Sequence, residues 1–200
     1  DRDQRPGPAI ADAAGSVIDD DADELMVRVF EAAFAAIDGR PNTKGGAYRI
    51  EMLPTTCHVY FGSVIGALPD GRPAGRPLSE GISPVQGADR RGPTAVLKSA
   101  GKIDHLRTGG TLLNQKFLPH ILADETGIDR LAQLVRTYFR MDGHHIQFNV
   151  VDAETLRKAQ QTPDAYRDLI VRVAGYSDYF VDLTPELQEE IIQRTGHDAG

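Results

Sequence analysis

The stretch Arg172-Val173-Ala174-Gly175-Tyr176-Ser177-Asp178-Tyr179-Phe180 sets a glycine between an apolar run, Leu169 to Ala174, and an aromatic-rich turn. Glycine has no Cβ and takes backbone angles that other residues avoid, so its plain role is a tight turn after a buried strand. It also offers chemistry that no side chain supplies. An α-carbon between an amide nitrogen and a carbonyl delocalises an unpaired electron in both directions, and without a side chain that centre flattens at little steric cost. Conventional reactive groups are sparse elsewhere. The one cysteine, Cys57, is followed by His58 and Val59. Strand alternation sends His144 and His145 to opposite faces, and no His-Glu-x-x-His occurs, so no metal site is expected. Gly87 to Thr94 has the glycines of a phosphate loop but lacks the Lys-Ser/Thr pair after the second glycine, which excludes a nucleotide site.

The elements that must position Gly175 follow from the hydrophobic pattern. Asp1 to Gly15, rich in Pro, Gly, Ala and Asp, reads as a loose tail. Asp19-Asp20-Asp21 then opens a helix, Ala22 to Ile37, with Leu25, Val29, Ala32, Ala33 and Ala36 as its packing stripe. Ala47 to Phe61 alternates imperfectly and predicts one strand interrupted at Pro54, or two short ones. Gly66 to Pro93 is a long loop crowded with Gly and Pro, of the kind that is functional or held down by a larger body. Pro93 to His105 predicts a short strand and a helix, and Thr108 to Thr111 a turn. Ile128 to Met141 is amphipathic, with Leu131, Leu134, Val135 and Tyr138 on one face, and Asp142-Gly143 ends it. His144 to Val151 predicts a buried strand entering a helix capped by Asp152, and Leu169 to Val173 the last strand. Thr184 caps a final helix with Pro185 at its first position. Strands separated by helices give an α/β class, and no internal repeat is evident.

Composition narrows the partners. Two hundred residues, 40% hydrophobic and 26% charged, suffice for a domain with a real core. A net charge of −7 argues against a nucleic-acid surface, and Arg90-Arg91 is too short a basic run to reverse that. A single cysteine excludes an internal disulfide framework and suits a reducing compartment. No apolar run spans a bilayer and no basic-then-apolar leader is present, so a cytoplasmic location without a membrane partner is expected.

Arg-Val-Ala-Gly-Tyr-Ser followed by Phe180 and the helix Pro185 to Thr195 resembles the signature of the glycyl radical enzymes, the pyruvate formate-lyase-like superfamily. Met52-Leu53-Pro54-Thr55-Thr56-Cys57-His58-Val59-Tyr60-Phe61-Gly62, Leu112 to Phe117, and His144-His145-Ile146-Gln147-Phe148-Asn149 are also similar to that family. The resemblance is strongest to its B12-independent glycerol or propanediol dehydratase and trans-4-hydroxyproline dehydratase branch. It implies the C-terminal part of a ten-stranded α/β barrel with the glycine loop at its centre. Residues 1–18 would be a tail or linker, 19–75 the end of the pyruvate formate-lyase-like barrel domain, and 76–200 the glycine radical domain.

The resemblance further implies that Gly175 stores the radical. Arg172, Val173, Tyr176 and Ser177 would then serve activase recognition and loop positioning, and Thr55 or Thr56 would face the substrate. No cofactor is bound in such enzymes. The radical is installed under anaerobic conditions by an iron–sulfur activase that uses S-adenosylmethionine. It then passes to a cysteine on an upstream loop; Cys57 stands where relatives carry a second, non-catalytic cysteine, so it is expected to be a small buried residue rather than the active thiol. Family members are several times longer than this chain, which begins at Asp1. A C-terminal fragment or split subunit of a lyase, inactive without the N-terminal part in cis or in trans, is therefore expected. Its small-molecule substrate would be a diol or a hydroxylated amino acid. The alternatives are a stand-alone radical carrier that repairs an oxygen-cleaved partner, a formate C-acetyltransferase-like activity, or an inert relic.

Overall fold

The computed structural model describes residues 20–69 and 71–198; the expected tail, 1–18, lies outside them. Helix α1 (Asp20–Ile37) forms where the pattern predicted it, but a different face turns inward. Leu25 and Val29, expected in the packing stripe, are 56% and 62% exposed, while Phe30 and Asp23 are buried. Polar pairing selects that face. The Asp23 carboxylate accepts from Ser99 Oγ at 2.9 Å and Lys102 Nζ at 2.7 Å, and Arg107 lies 3.9 Å from the centre of the Phe34 ring.

The strand expected over Ala47 to Phe61 shrinks to β1 (Glu51–Met52), and Cys57–Val64 is helix α2. The Pro54-Thr55-Thr56 turn, closed by Cys57 N–H donating to Pro54 O at 2.9 Å, starts that helix. It carries the β-formers Val59, Tyr60 and Phe61 along, because strand propensity is weaker than a local helical start. Among the described residues from Ile65 to Gly92 there is no helix and no strand longer than a single bridge residue. The buried Arg72 guanidinium fastens this loop by donating to the carbonyls of Gly66 at 2.6 Å and Ile65 at 3.3 Å.

Helix α3 (Pro93–Ala100) follows Gly92, whose φ is +83°, and the strand expected beside it is not formed. The expected turn at Thr108 to Thr111 contains β2 (Gly110–Thr111), paired parallel to β1. Strand β3 (Leu113–Phe117) is buried throughout. After helix α4 (Glu125–Arg140), β4 (Ile146–Val150) pairs parallel to it in register Leu113 with Ile146. Then come α5 (Ala153–Gln161), β5 (Ile170–Arg172), β6 (Ser177–Tyr179), α6 (Pro185–Gln193) and β7 (Gly196–His197). The strand expected to be last is thus followed by two more, and β7 pairs parallel to β3, making the order β4-β3-β7.

Two apolar cores hold these elements together. One joins Leu156 of α5, Val171 and Val173 at the β5 end, Phe180, and Leu187 and Ile191 of α6. The other joins Ala95, Val96 and Ala100 of α3 with Leu113 and Tyr138. The caps read from sequence are formed: Asp152 Oδ1 accepts from Thr155 N and Thr184 Oγ1 from Leu187 N. Helix α4 has a cap the sequence reading missed, Asp124 Oδ1 accepting from Gly127 N at 2.8 Å. A Cβ at Gly127 would stand 1.8 Å from the Ile121 carbonyl oxygen. Helical Gly→Ala changes ordinarily stabilise by about 0.4–1 kcal/mol. Here the clash is with backbone and wins, so Gly127→Ala is expected to lose about 1–3 kcal/mol in urea denaturation.

Candidate functional site

Strands β5 and β6 form a hairpin. Arg172 pairs with Ser177, and Val173 N–H donates to Tyr176 O at 2.9 Å, leaving Ala174 and Gly175 as the connection. Gly175 has φ +81°, the left-handed region that costs an L-residue its Cβ contact with the following carbonyl. It is exposed, yet apolar side chains crowd it. A methyl added there would stand 3.2 Å from Leu112 Cδ1 and 3.4 Å from Leu53 Cδ1.

The hairpin is tied to the rest of the protein by side chains rather than by a strand ladder. Asn149 of β4 behaves as a peptide group. Its Nδ2 donates to Arg172 O and its Oδ1 accepts from Arg172 N, both at 2.8 Å. Gln147, two residues earlier, accepts at Oε1 from Gly175 N and from Arg172 Nε, each at 3.2 Å. The Val173 carbonyl accepts from Asn114 Nδ2 at 3.2 Å, Gln147 Nε2 at 3.4 Å and Arg194 Nη2 at 2.9 Å. Arg194, just past α6, also reaches Arg172 O at 3.2 Å and is held by Glu190 Oε2 at 2.7 Å.

Behind the hairpin lie charged groups with displaced titration. Glu80 is 2% exposed, and its Oε2 accepts from Asn114 Nδ2 and Ser83 Oγ while Oε1 finds no partner. Burial pushes its carboxyl from 4.5 up to about 7, against the pull of Arg194 and these hydrogen bonds. Glu190 goes the other way. Burial raises it, but Arg194 and His58, whose Nε2 is 3.7 Å away, outweigh burial and bring it to about 2. Lys116 of β3, desolvated and near Arg194, falls to about 8 while donating to Ile192 O at 2.8 Å near the end of α6.

Glu80 therefore gives a signed prediction. Between pH 4.5 and 7 the folded protein binds more protons at this site than the unfolded chain, so stability is full below 4.5 and falls as pH rises through 7. The loss amounts to about 3 kcal/mol. Glu80→Gln has no charge to bury, so its stability relative to wild type should climb from pH 5 to pH 8 by a margin of that order in denaturant titrations. A pH-independent difference would contradict the assignment.

The other residues singled out from sequence fall as follows. Arg172, besides its backbone pairing, donates from Nη1 to Ser177 Oγ at 3.0 Å, bracing the hairpin across its strands. Val173 is fully buried, and Tyr176 packs against the same core, where burial first and Asp178 second raise its phenol. Thr55 is exposed with φ +58°, an unusual angle for a β-branched residue, and Thr56 precedes α2 without capping it through its side chain. Both follow Leu53, which links their turn to Gly175. Cys57, expected to be buried, is exposed, because α2 turns His58 and Gly62 inward instead. Among the described residues no cluster of His, Cys, Asp or Glu is placed to hold a metal ion, and no helix is long and apolar enough to cross a membrane.

Residues 78–181 match the glycine radical family, and residues 18–62 the pyruvate formate lyase-like family. The chain belongs to the glycine radical family. It is 59% identical to a trans-4-hydroxy-L-proline dehydratase of Clostridioides difficile over 88% of this chain and 22% of that protein. The crystal structure of a hydroxyproline dehydratase from the same organism, with trans-4-hydroxy-L-proline bound, superposes with a TM-score of 0.89 at 54% identity, covering 96% of this chain and 25% of that one. The glycerol-bound B12-independent glycerol dehydratase from Clostridium butyricum gives 0.87 at 44% identity over 92% of this chain and 23% of that one. The chain thus spans about a quarter or less of the length of the relatives it matches. The expected α/β class, part of a glycyl-radical-type barrel, is borne out by this likeness. Membership of the glycine radical family implies a glycyl radical modification, and enzymes of this family need an activating enzyme and a substrate.

Sequence reasoning did not single out Glu80, Asn114, Gln147, Asn149, Glu190 or Arg194 as individual residues. A signal was present for the β3 and β4 members. Strands of a buried parallel sheet read as continuous apolar runs, whereas Asn114-Gln115-Lys116 and Gln147/Asn149 put polar groups in such strands. A buried polar side chain needs a partner, and Asn114, Gln147 and Asn149 find theirs in the glycine hairpin, whereas Gln115 donates to Pro93 O and Lys116 to Ile192 O.

Proposed function

We propose that this chain is the radical-bearing C-terminal portion of a glycyl radical lyase, a dehydratase of a diol or a hydroxylated amino acid, with the radical stored on Gly175. The observation that carries this reading is the hairpin itself. In a glycine radical domain, the Arg-Val-Ala-Gly-Tyr-Ser sequence puts Gly175 at the connection, in a backbone conformation suited to glycine, beside Leu53 and Leu112. Abstraction of a hydrogen atom from the Gly175 α-carbon by the activase's S-adenosylmethionine-derived radical leaves an unpaired electron on that carbon, delocalised onto its amide nitrogen and its carbonyl. Val173 and Tyr176 pack the hairpin into the core, while Arg172 and Ser177 brace it and present a surface to the activase.

The radical is passed to a cysteine that this chain does not contain, since Cys57 is its only thiol and lies on α2. Apolar surface supports a covering body: besides Leu25 and Val29, Tyr60 and Val64 are each 65% exposed, and Gly175 itself is exposed. The N-terminal part of the barrel, in cis or in trans, would cover these residues and exclude water and oxygen from the radical. Residues 19–75 then end the barrel domain and 76–200 form the radical domain. Thr55 and Thr56 line the substrate side, and the location is an anaerobic cytoplasm.

The test is anaerobic incubation with a radical S-adenosylmethionine activase, followed by electron paramagnetic resonance. A glycine-type doublet is expected, and brief exposure to air should then cut the chain at Gly175. A silent sample beside an activated hydroxyproline dehydratase that gives a doublet would refute the reading.

A further inference from the structure

A carboxamide facing the Gly175 amide could offer it an oxygen or a nitrogen, and only the oxygen makes a bond. What settles this for Gln147 lies at its other end. Gln147 Nε2 donates to Asn114 Oδ1, so Oε1 is the atom left for Gly175 N–H, at 3.2 Å, and for Arg172 Nε. Asn114 is oriented in the same way, because its Nδ2 donates to Glu80 Oε2 and to the Val173 carbonyl. Glu80 begins the series. Its Oε2 has no hydrogen of its own to offer Asn114 while it accepts from both Asn114 and Ser83, and Ser83 Oγ also accepts from Asn114 N at 2.9 Å. All these groups are buried: Glu80 is 2%, Asn114 8% and Gln147 4% exposed. Water therefore competes little for the amide ends, and a reversed carboxamide would leave unpaired groups inside.

We propose that Gln147 is a positioning residue for the radical glycine, holding an acceptor against the Gly175 N–H, and that Glu80 fixes its orientation through Asn114. The proposal rests on the reading of Gly175 as the radical site and adds how that site is tuned. An acceptor on the N–H raises electron density on the nitrogen, which is one of the two groups sharing the spin. It also fixes the plane of the peptide joining Ala174 to Gly175. Gln147 thereby acts on the radical through the backbone, without touching the substrate. Asn149 is the useful contrast, since it binds the same hairpin at Arg172 but makes no bond to Gly175.

Two measurements separate this proposal from the radical assignment. Without activation, hydrogen exchange at the Gly175 amide should accelerate about tenfold or more in Gln147→Leu and stay near wild type in Gln147→Glu, which keeps the acceptor. In the activated protein, electron–nuclear double resonance of the exchangeable Gly175 amide proton should shift in Gln147→Leu and be restored in Gln147→Glu. Asn149→Ala should lower radical yield with that coupling unchanged. Above pH 8, where wild-type Glu80 is ionised and only accepts, Glu80→Gln offers both donor and acceptor, so it should broaden the coupling there as both carboxamide orientations become populated. A wild-type doublet with the same amide coupling in Gln147→Leu overturns the proposal, as does unchanged Gly175 exchange. A single unaltered coupling in Glu80→Gln overturns the part assigned to Glu80. Absence of any wild-type doublet refutes the radical assignment instead, and the exchange experiment still decides the hydrogen bond.

Discussion

Gly175→Ala is expected to abolish the radical signal completely while leaving a folded protein. The structural cost is bounded by the geometry. An alanine at φ +81° pays about 1–2 kcal/mol for the left-handed conformation. Its methyl would meet Leu112 Cδ1 at 3.2 Å, tight, and Leu53 Cδ1 at 3.4 Å, ordinary contact. Both are ends of side chains, and Leu53 is 43% exposed, so they give way more readily than backbone would. A loss of that size is a fraction of the roughly 5–15 kcal/mol that holds a typical domain together. The radical has no such latitude. Flattening an alanine α-carbon drives its methyl into the plane of the adjacent peptides, and the methyl takes the place of one of glycine's two α-hydrogens, leaving a single hydrogen on a more crowded carbon. The two measurements are a thermal melt, expected to fall by a few degrees, and resonance spectra after activation, expected to be silent. A doublet in Gly175→Ala would move the radical to another residue and dissolve the proposed function.

The glycine was legible in the sequence because its signature is local. Six consecutive residues encode a strand, a turn and a strand, and their order needs no knowledge of what lies across space. Helices α4, α5 and α6 were legible for the same reason, α4 through its own apolar period and α5 and α6 through a recognised cap. The inward face of α1 was not. Counting apolar residues favoured Leu25 and Val29, whereas the buried face is chosen by Asp23 meeting Ser99 and Lys102, partners more than seventy positions away. Cys57 failed likewise: its exposure follows from α2 replacing a strand, and strand propensity in Val59-Tyr60-Phe61 concealed the helix. The groups holding the hairpin are scattered over Glu80, Asn114, Gln147, Asn149 and Arg194, and only the parallel pairing of β3 with β4 brings Asn114 and Gln147 opposite one another.

Arg194 is the substitution with the largest expected cost in stability. Its guanidinium bonds to Glu190 while donating to the carbonyls of Arg172 and Val173, and the two side chains are 9% and 1% exposed. Glu190 also accepts from Gln86 Nε2 at 2.9 Å, yet Arg194 is the foremost of the groups holding its carboxyl down near 2. In Arg194→Met the carboxylate stays buried without its principal counter-charge, and removing one partner of such a pair typically costs about 3–5 kcal/mol. The Val173 carbonyl keeps Asn114 and Gln147, so the penalty belongs chiefly to Glu190. Two consequences distinguish this from ordinary loss of packing. Wild-type Glu190 contributes stability above pH 4.5 that is lost as pH falls toward 2. With Arg194 gone its carboxyl rises, so the deficit of Arg194→Met should be largest at neutral pH and shrink as the solution is acidified. The double variant Arg194→Met/Glu190→Gln buries no charge and should recover part of the loss, a coupling of at least about 1 kcal/mol in a double-mutant cycle. Additive losses that ignore pH would mean that Arg194 merely fills space beside the hairpin, and that the carboxylate is compensated from elsewhere.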